Sequence, residues 1–383
     1  MLPTAAYVHV PFCRRRCGYC NFTVAVGRDD RIDDFLTALD RELRSLGQPR
    51  PVETLFVGGG TPTHLSIDAL QRLFQIVTHW FPLTRTGEFS IEANPEDLDR
   101  QKIELLVAAG VNRLSLGVQS FDDGKLERLE RHHRRETIDR VLTSCRGRFA
   151  SISLDLIFGT PGESLEVWMA DLQATIQRMP DHVSTYGLTY EKGAMFWGRM
   201  LRGDLRPVDE EIQRQMYLAA IDRLGAAGWQ HYEVSNFARP GHRCRHNEVY
   251  WTGQPYYAAG PGAARYVDGV RETNHRSTTT WIRRVLDGQS PVAEREILTD
   301  EQRARERLVF QMRMIDGIQL SRFRQQTGFD IAQLVGSELP LLIDHGLIHH
   351  EPDRLRLTRE GLLVSDAIWP RFLVRCPGEI LGS

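Results

Sequence analysis

The sequence predicts an α/β protein: a part-barrel of six βα units followed by a small α+β module. Three observations predict it. Six short runs rich in Val, Ile, Leu, Phe and Tyr alternate with amphipathic helical stretches through residues 1–228. Polar signatures follow these runs at their C-terminal ends, where a (β/α) barrel gathers its chemistry. The alternation stops near residue 229, and a new helical pattern opens near residue 301.

The predicted strands are Ala6–Val10, Thr54–Gly58, Glu88–Ala93, Arg113–Val118, Ser151–Phe158 and Val183–Leu188. Their nearly continuous apolar character is that of parallel strands covered on both faces. Between them, Asp33–Leu46 places Phe35, Leu36, Leu39, Leu43 and Leu46 on one helical face. Ser66–Thr78 opens on a residue suited to cap a helix and carries Ile67, Leu70, Leu73, Phe74 and Val77 as one stripe. Further helices are expected over Gln101–Ala109, Glu136–Ser144, Ser164–Gln177 and Asp209–Ala227. Residues 229–300 are rich in Gly, Pro, Tyr, Trp and His with little periodicity and read as a linking region. Within residues 301–383, helices are expected from about 301, at Gln319–Gln326 and at Glu338–His345. Leu347–His350 and Leu355–Thr358, around Pro352-Asp353, read as a β-hairpin, so this module is winged-helix-like.

Composition narrows the function. The chain has 383 residues, a formal net charge of −2 and 41% hydrophobic residues, which is ordinary for a globular protein. A protein held to nucleic acid by bulk charge shows a basic excess. The winged-helix-like module carries 11 Arg against 11 Asp plus Glu, so nucleic acid is not an expected partner. No stretch reaches the ~18–20 apolar residues of a membrane span. The first residues lack the basic, apolar and cleavage regions of a secretory signal, so a cytoplasmic protein with reduced thiols is expected.

Cys13, Cys17 and Cys20 fall within eight residues, whereas Cys145, Cys244 and Cys376 are scattered. Three thiolates at i, i+4 and i+7 on one loop can converge on a small inorganic centre. Structural zinc takes four ligands, and the local count stops at three. Zinc with a distant histidine or Cys244 as fourth ligand is one reading. A [4Fe–4S] cube with one iron left open is the other.

The strand ends carry Gly58-Gly59-Gly60-Thr61-Pro62, Glu92-Ala-Asn94-Pro95, Gly117-Val118-Gln119-Ser120-Phe121, and Asp155 inside Leu-Asp-Leu-Ile-Phe-Gly-Thr-Pro-Gly. Each alone is ordinary turn chemistry. Six strands in one register give them a common rim. With the CxxxCxxC trio, this order of motifs resembles the radical S-adenosylmethionine (SAM) superfamily over nearly the whole chain. The resemblance implies a partial (β/α)6 radical SAM barrel, a [4Fe–4S] cluster on Cys13, Cys17 and Cys20, and SAM on its open iron. It implies that Tyr7 and Tyr19 line the SAM site and that Gly59, Gly60 and Thr61 hold the methionine end. Glu92, Gln119, Arg131 and Asp155 would contact the polar groups of SAM, with Glu92 near the amino group and Arg131 near the carboxylate.

Within the superfamily the chain is most similar to the coproporphyrinogen dehydrogenase-like group. That group holds both an oxygen-independent decarboxylating oxidase and the HemW-type haem chaperones. The oxidase has a fourth cysteine two residues after the third and a longer arm before the first tyrosine. Here the position is Phe22, and six residues precede Tyr7. His246-Asn247-Glu248-Val249-Tyr250-Trp251 matches the HNxxYW motif of the chaperone type. A neutral imidazole at His246 suits an axial haem ligand, Asn247 could orient it, and Tyr250 and Trp251 offer flat apolar faces. Cys244 is an alternative ligand. The resemblance therefore implies a haem chaperone with haem, an acceptor protein and an electron donor as partners. Enzyme status and homodimer formation stay open. The rival expectations are the decarboxylating oxidase and a radical SAM enzyme acting on another substrate.

Overall fold

The structure, a computed structural model, describes residues 2–373. Eight strands of its first unit form one sheet: β1 (Ala5–Val10), β2 (Val52–Gly59), β3 (Leu83–Ala93), β4 (Arg113–Gln119), β5 (Ser151–Phe158), β6 (His182–Gly187), β7 (Asn236–Ala238) and β8 (Tyr257–Ala259). Their order is β8-β1-β2-β3-β4-β5-β6-β7. Strands β1 to β6 are parallel and sequential, as six βα units wound in one direction must be. β8 joins parallel to β1, and β7 runs antiparallel to β6. The six parallel strands of this part-barrel are thus flanked by a parallel strand on one side and an antiparallel strand on the other.

Alternation along the strands sorts the two faces. Val8, Leu55, Ile91, Leu114 and Leu154 join Phe35, Leu39, Leu70 and Phe74 in a continuous apolar core. The intervening positions are aromatic or polar and meet one another. Tyr7 lies 6.1 Å from the Phe56 ring, and Ser115 Oγ donates to Asp155 at 2.9 Å. The helices start where their caps say. Ser66 Oγ accepts from the Ala69 amide, Asp99 from Lys102 and Ser164 from Val167.

The chain divides into two units: 1–230, 235–246 and 255–295 in the first, and 231–234, 247–254 and 296–383 in the second. Residues 229–300 are more ordered than their composition suggested. They contain β7, the helix Arg245–Trp251, β8, the hairpin strands Ala264–Val267 and Val270–Asn274, and the helix Thr278–Leu286. Periodicity misses them because each is short. One local signal was present: Asp268-Gly269 takes φ 51° and 78°, the turn that Asp-Gly favours between two strands.

The second unit has its own core, with Leu308, Met312, Phe323, Val335, Leu355 and Phe372 at its centre. Its first helix, Asp300–Met312, opens with a capping box between Thr299 and Gln302. The hairpin Ile348–Glu351 with Arg354–Leu357 is completed by Ile318–Gln319 into a three-stranded antiparallel sheet. With its surrounding helices this is the expected winged-helix-like α+β module. Cys376 lies outside the described residues. Among the described residues no helix is long and apolar enough to cross a membrane.

Candidate functional site

β1 ends at Val10 and leads through Phe12 into the loop that carries the cysteines. Phe12–Cys13 pairs in parallel with Ala25–Val26 and fixes the loop at both ends. A turn inside it, Cys20 N–H to Cys17 carbonyl at 3.0 Å, brings the second and third thiols together. All three cysteines are free and half-buried. Burial pushes the Cys13 thiol up to about 12, against a hydrogen bond from Thr61 that favours the thiolate. Burial also raises Cys20. A bound metal centre would favour the thiolate form of Cys13 and Cys20 against this burial. The trio does not close on a point: among the described residues no three His, Cys, Asp or Glu side chains group around one metal ion. Nor does Cys244 approach it. That thiol sits 3.8 Å from Glu88 Oε1, in the half of β3 away from the cysteine loop.

The strand-end motifs meet around the trio. Cys13 Sγ is 3.4 Å from Thr61 Oγ1, which accepts from Asn94 Nδ2 at 2.9 Å. Asn94 Oδ1 accepts from Arg131 Nη2 at 2.5 Å, and Arg131 Nη1 reaches Cys17 Sγ at 3.6 Å. Two cysteines are thus linked through the rims of β2, β3 and β4. The Arg131 guanidinium is buried, also donates to the Gly117 carbonyl at 2.9 Å, and leaves Nε without a partner. A buried, partly unsatisfied cation beside a thiol is a fitting environment for an anionic centre.

Glu92, on β3, accepts the Gly59 amide at 2.7 Å. Burial, with the neighbouring Asp155 charge adding, pushes its carboxyl up to about 7 against that hydrogen bond. Burial also raises Asp155, against hydrogen bonds from Ser184, Ser115 and Ser153. Gln119 ends β4 with φ 64°, a strained value for a residue with a side chain. Tyr19 packs edge-on against Phe196 at 6.3 Å, and burial raises its hydroxyl. Tyr7 donates to His9 Nδ1 at 3.0 Å, while His9 Nε2 faces the Thr23 carbonyl at 2.7 Å. A carbonyl only accepts, so Nε2 carries the proton and the ring is neutral. Burial holds His9 down at about 4, consistent with that form.

The glycines serve the strand ends first. A Cβ on Gly59 (φ 105°) would lie 2.2 Å from the His9 ring, and one on Gly60 2.7 Å from the Val10 carbonyl. The Gly60 and Thr61 amides bond to Val10 and Phe12 carbonyls at 2.8 Å each. Their amides are thus used within the chain.

Asn94, His9 and His133 were not singled out by the sequence reading. His133 bridges the Glu96 carboxylate at 3.0 Å and the Val118 carbonyl at 2.9 Å. Burial opposes the Glu96 charge, but the His133 hydrogen bond and the Arg131 charge hold it at about 2. His9 was signalled by its place two residues after Tyr7 on one strand, which puts both on one face. Asn94 was signalled by its motif, His133 only by a charge run.

The HNxxYW motif begins at His246, in the first unit. His246 is 1% exposed. Its Nδ1 is 2.9 Å from Thr54 Oγ1 and its ring 5.2 Å from Phe56. Glu88 accepts the Arg245 and His246 amides at 3.2 and 3.1 Å, holding the start of the short helix. Burial lowers His246 to about 3, so the ring is neutral. Thr54 and Glu88 face each other across β2 and β3, several residues before the rim. Asn247, Tyr250 and Trp251 belong to the second unit. There Arg313 stacks over the Trp251 ring at 4.4 Å, and Trp251 Nε1 is buried without a partner.

The sequence profile of the radical SAM superfamily matches residues 7–174, and that of the HemN C-terminal domain matches residues 298–364. The heme chaperone HemW of Bacillus subtilis is 34% identical over 375 residues, 96% of this chain and 99% of the relative. The chain belongs to the HemW family of the radical SAM superfamily. HemW of Escherichia coli is 33% identical, covering 97% of this chain and 98% of its own length. Among solved structures, the coproporphyrinogen III oxidase HemN of Escherichia coli superposes with a TM-score of 0.85 at 24% identity. It covers 97% of this chain and 90% of that one, and it shows the fold. Membership in the superfamily implies a [4Fe–4S] cluster and SAM. The three free, half-buried thiols fit as ligands of such a cluster, and the Arg131 cation beside Cys17 suits its negative charge.

Proposed function

We propose that this chain is a cytoplasmic haem chaperone, which binds haem and passes it to an acceptor protein. The observation that carries the reading is end-to-end similarity to heme chaperones HemW, together with Phe22 where the decarboxylating oxidase has a fourth cysteine. Cys13, Cys17 and Cys20 would hold a [4Fe–4S] cluster. When bound and reduced by an electron donor, it supplies the electron for cleaving the sulfonium of SAM.

The chain's own groups take defined parts. Arg131 donates to Cys17 and offers its remaining N–H to the SAM carboxylate. Gly59, Gly60 and Thr61 flank the methionine end. Tyr7, Tyr19, Gln119 and Asp155 line the rest. Glu92 offers its carboxylate to the SAM ammonium, which makes binding pH-dependent. The free carboxyl titrates at about 7, and an ammonium partner lowers that value in the complex. Affinity for SAM therefore rises as pH rises towards about 7 and levels off above it. Glu92→Gln loses the dependence and binds weakly throughout. Equilibrium dialysis of anaerobic, cluster-reconstituted protein across pH 5.5–8.5 measures this, and a flat wild-type profile refutes the role.

For haem, the chemistry of His246 fits and its packing encloses it. The imidazole is neutral, as an axial ligand must be. His246, Asn247, Tyr250 and Trp251 of the HNxxYW motif would take part in haem binding.

The test is an anaerobic haem titration of cluster-reconstituted protein beside a coproporphyrinogen assay. The expected result is saturation at about one haem per chain, transfer to an apo-haemoprotein, and no vinyl product. Fast propionate decarboxylation without specific haem binding overturns the reading in favour of the oxidase.

A further inference from the structure

The chain has three lysines, and Lys125 is completely buried. Its Nζ lies 2.5 Å from Glu163 Oε1 and 2.9 Å from Asp171 Oδ2, with both carboxylates equally enclosed. It also sits 5.0 Å from the centre of the Trp168 ring. Two carboxylates and one ammonium without water are costly unless every lone pair is used. Here they are used. Glu163 Oε2 accepts the Thr160 amide at 2.9 Å. Asp171 Oδ1 accepts the Phe121 amide at 2.7 Å, and Asp171 Oδ2 accepts the Ser120 hydroxyl at 2.8 Å.

Ser120 and Phe121 immediately follow Gln119. The Ser120 amide bonds to the Val118 carbonyl at 2.8 Å across Gln119 at φ 64°. That is the γ-turn of the rare, strained kind. Such a turn persists only where its surroundings over-determine it. On one side Arg131 takes the Gly117 carbonyl and His133 the Val118 carbonyl. On the other, Asp171 takes the next hydroxyl and amide. Lys125 Nζ, 2.9 Å from Asp171 Oδ2, holds that carboxylate in place.

We propose that Lys125, Glu163 and Asp171 act as one positioning unit that clamps the Gln119 turn. They thereby fix the carbonyl that aims Arg131 at Cys17 and set the affinity of the rim for SAM. The three side chains bond to neither the cysteines nor Arg131; the Arg131 amide bonds instead to the carbonyl of Leu126, next to Lys125, at 2.9 Å. The SAM part of this inference rests on the function proposed above; the clamp itself does not.

The test compares wild type with Lys125→Met, Lys125→Met/Glu163→Gln and Ser120→Ala. Two readouts are taken: hydrogen exchange of the peptide spanning residues 117–121 in SAM-free protein, and SAM affinity by anaerobic equilibrium dialysis. In Lys125→Met, exchange at Ser120 and Phe121 rises by at least about tenfold, and SAM affinity falls by about tenfold or more, at full iron content. The amide introduced by Glu163→Gln gives Asp171 a donor again and recovers most of both losses. Ser120→Ala removes one hydroxyl and no charge; it loosens the same peptide several-fold and keeps the assay usable where Lys125→Met fails to fold. A fall in melting temperature with exchange of residues 117–121 and SAM affinity unchanged reduces the triad to a fold element and overturns the proposal. If wild type itself binds no SAM, the functional reading fails, and exchange alone decides the clamp.

Discussion

Replacing Cys13, Cys17 or Cys20 singly by Ala is expected to strip the anaerobically reconstituted protein of its iron. Wild type should carry about four irons and four sulfides per chain, and each variant under about a tenth of that. The expectation follows from how the ligands are placed. The three thiols share one loop, pinned by the short pairing of Phe12–Cys13 with Ala25–Val26. Among the described residues no other cysteine can stand in. Cys145 is buried with its thiol pushed up to about 12, and Cys244 is buried against Glu88. Cys145→Ala and Cys244→Ala should therefore keep full iron. Metal and acid-labile sulfide analysis, with visible absorption, reads all five variants at once. Zinc in place of iron, or loss of metal in Cys244→Ala, would show that the centre was misjudged.

Haem binding is expected to depend on His246. His246→Gln should weaken it by at least about tenfold and shift the Soret band of what remains. The ring is neutral because burial holds it at about 3, so no proton must leave before iron binds. Its enclosure under Phe56 and its bond to Thr54 make access slow. Thr54→Val removes that bond and is expected to speed haem association. Glutamine is chosen over alanine because its amide can still meet Thr54. An empty site would strand that hydroxyl at a cost of about 1–3 kcal/mol and confuse binding with stability. Haem affinity and spectrum identical to wild type in His246→Gln would remove His246 from the site. Haem would then have to be sought elsewhere on the chain.

The βα alternation was legible because buried parallel strands and one-sided helices each leave a period in the sequence. Observed strands such as Ser151–Phe158 and helices such as Ile67–Trp80 lie within a few residues of the expected ones. The winged-helix-like module was legible from its three helices and its hairpin. The region from 229 to 300 was not. β8 takes its place from a parallel partner about 250 residues earlier in the chain, at Ala6–Val8, and three residues carry no period of their own.

The same division holds at the site. The cysteine spacing and the strand-end motifs were determined by sequence alone, because chemistry on a loop or at a strand end needs particular residue types at fixed short separations. Tertiary structure alone decided what those residues do to each other. It placed Arg131 between Asn94, Gly117 and Cys17, and turned Gly59 towards Glu92. It also enclosed His246 among Thr54, Phe56 and Glu88. These pairings join residues 14 to 192 positions apart. Burial, which sets whether Glu92 titrates at about 7 or His246 stays neutral, is a property of the packed surroundings rather than of any local segment.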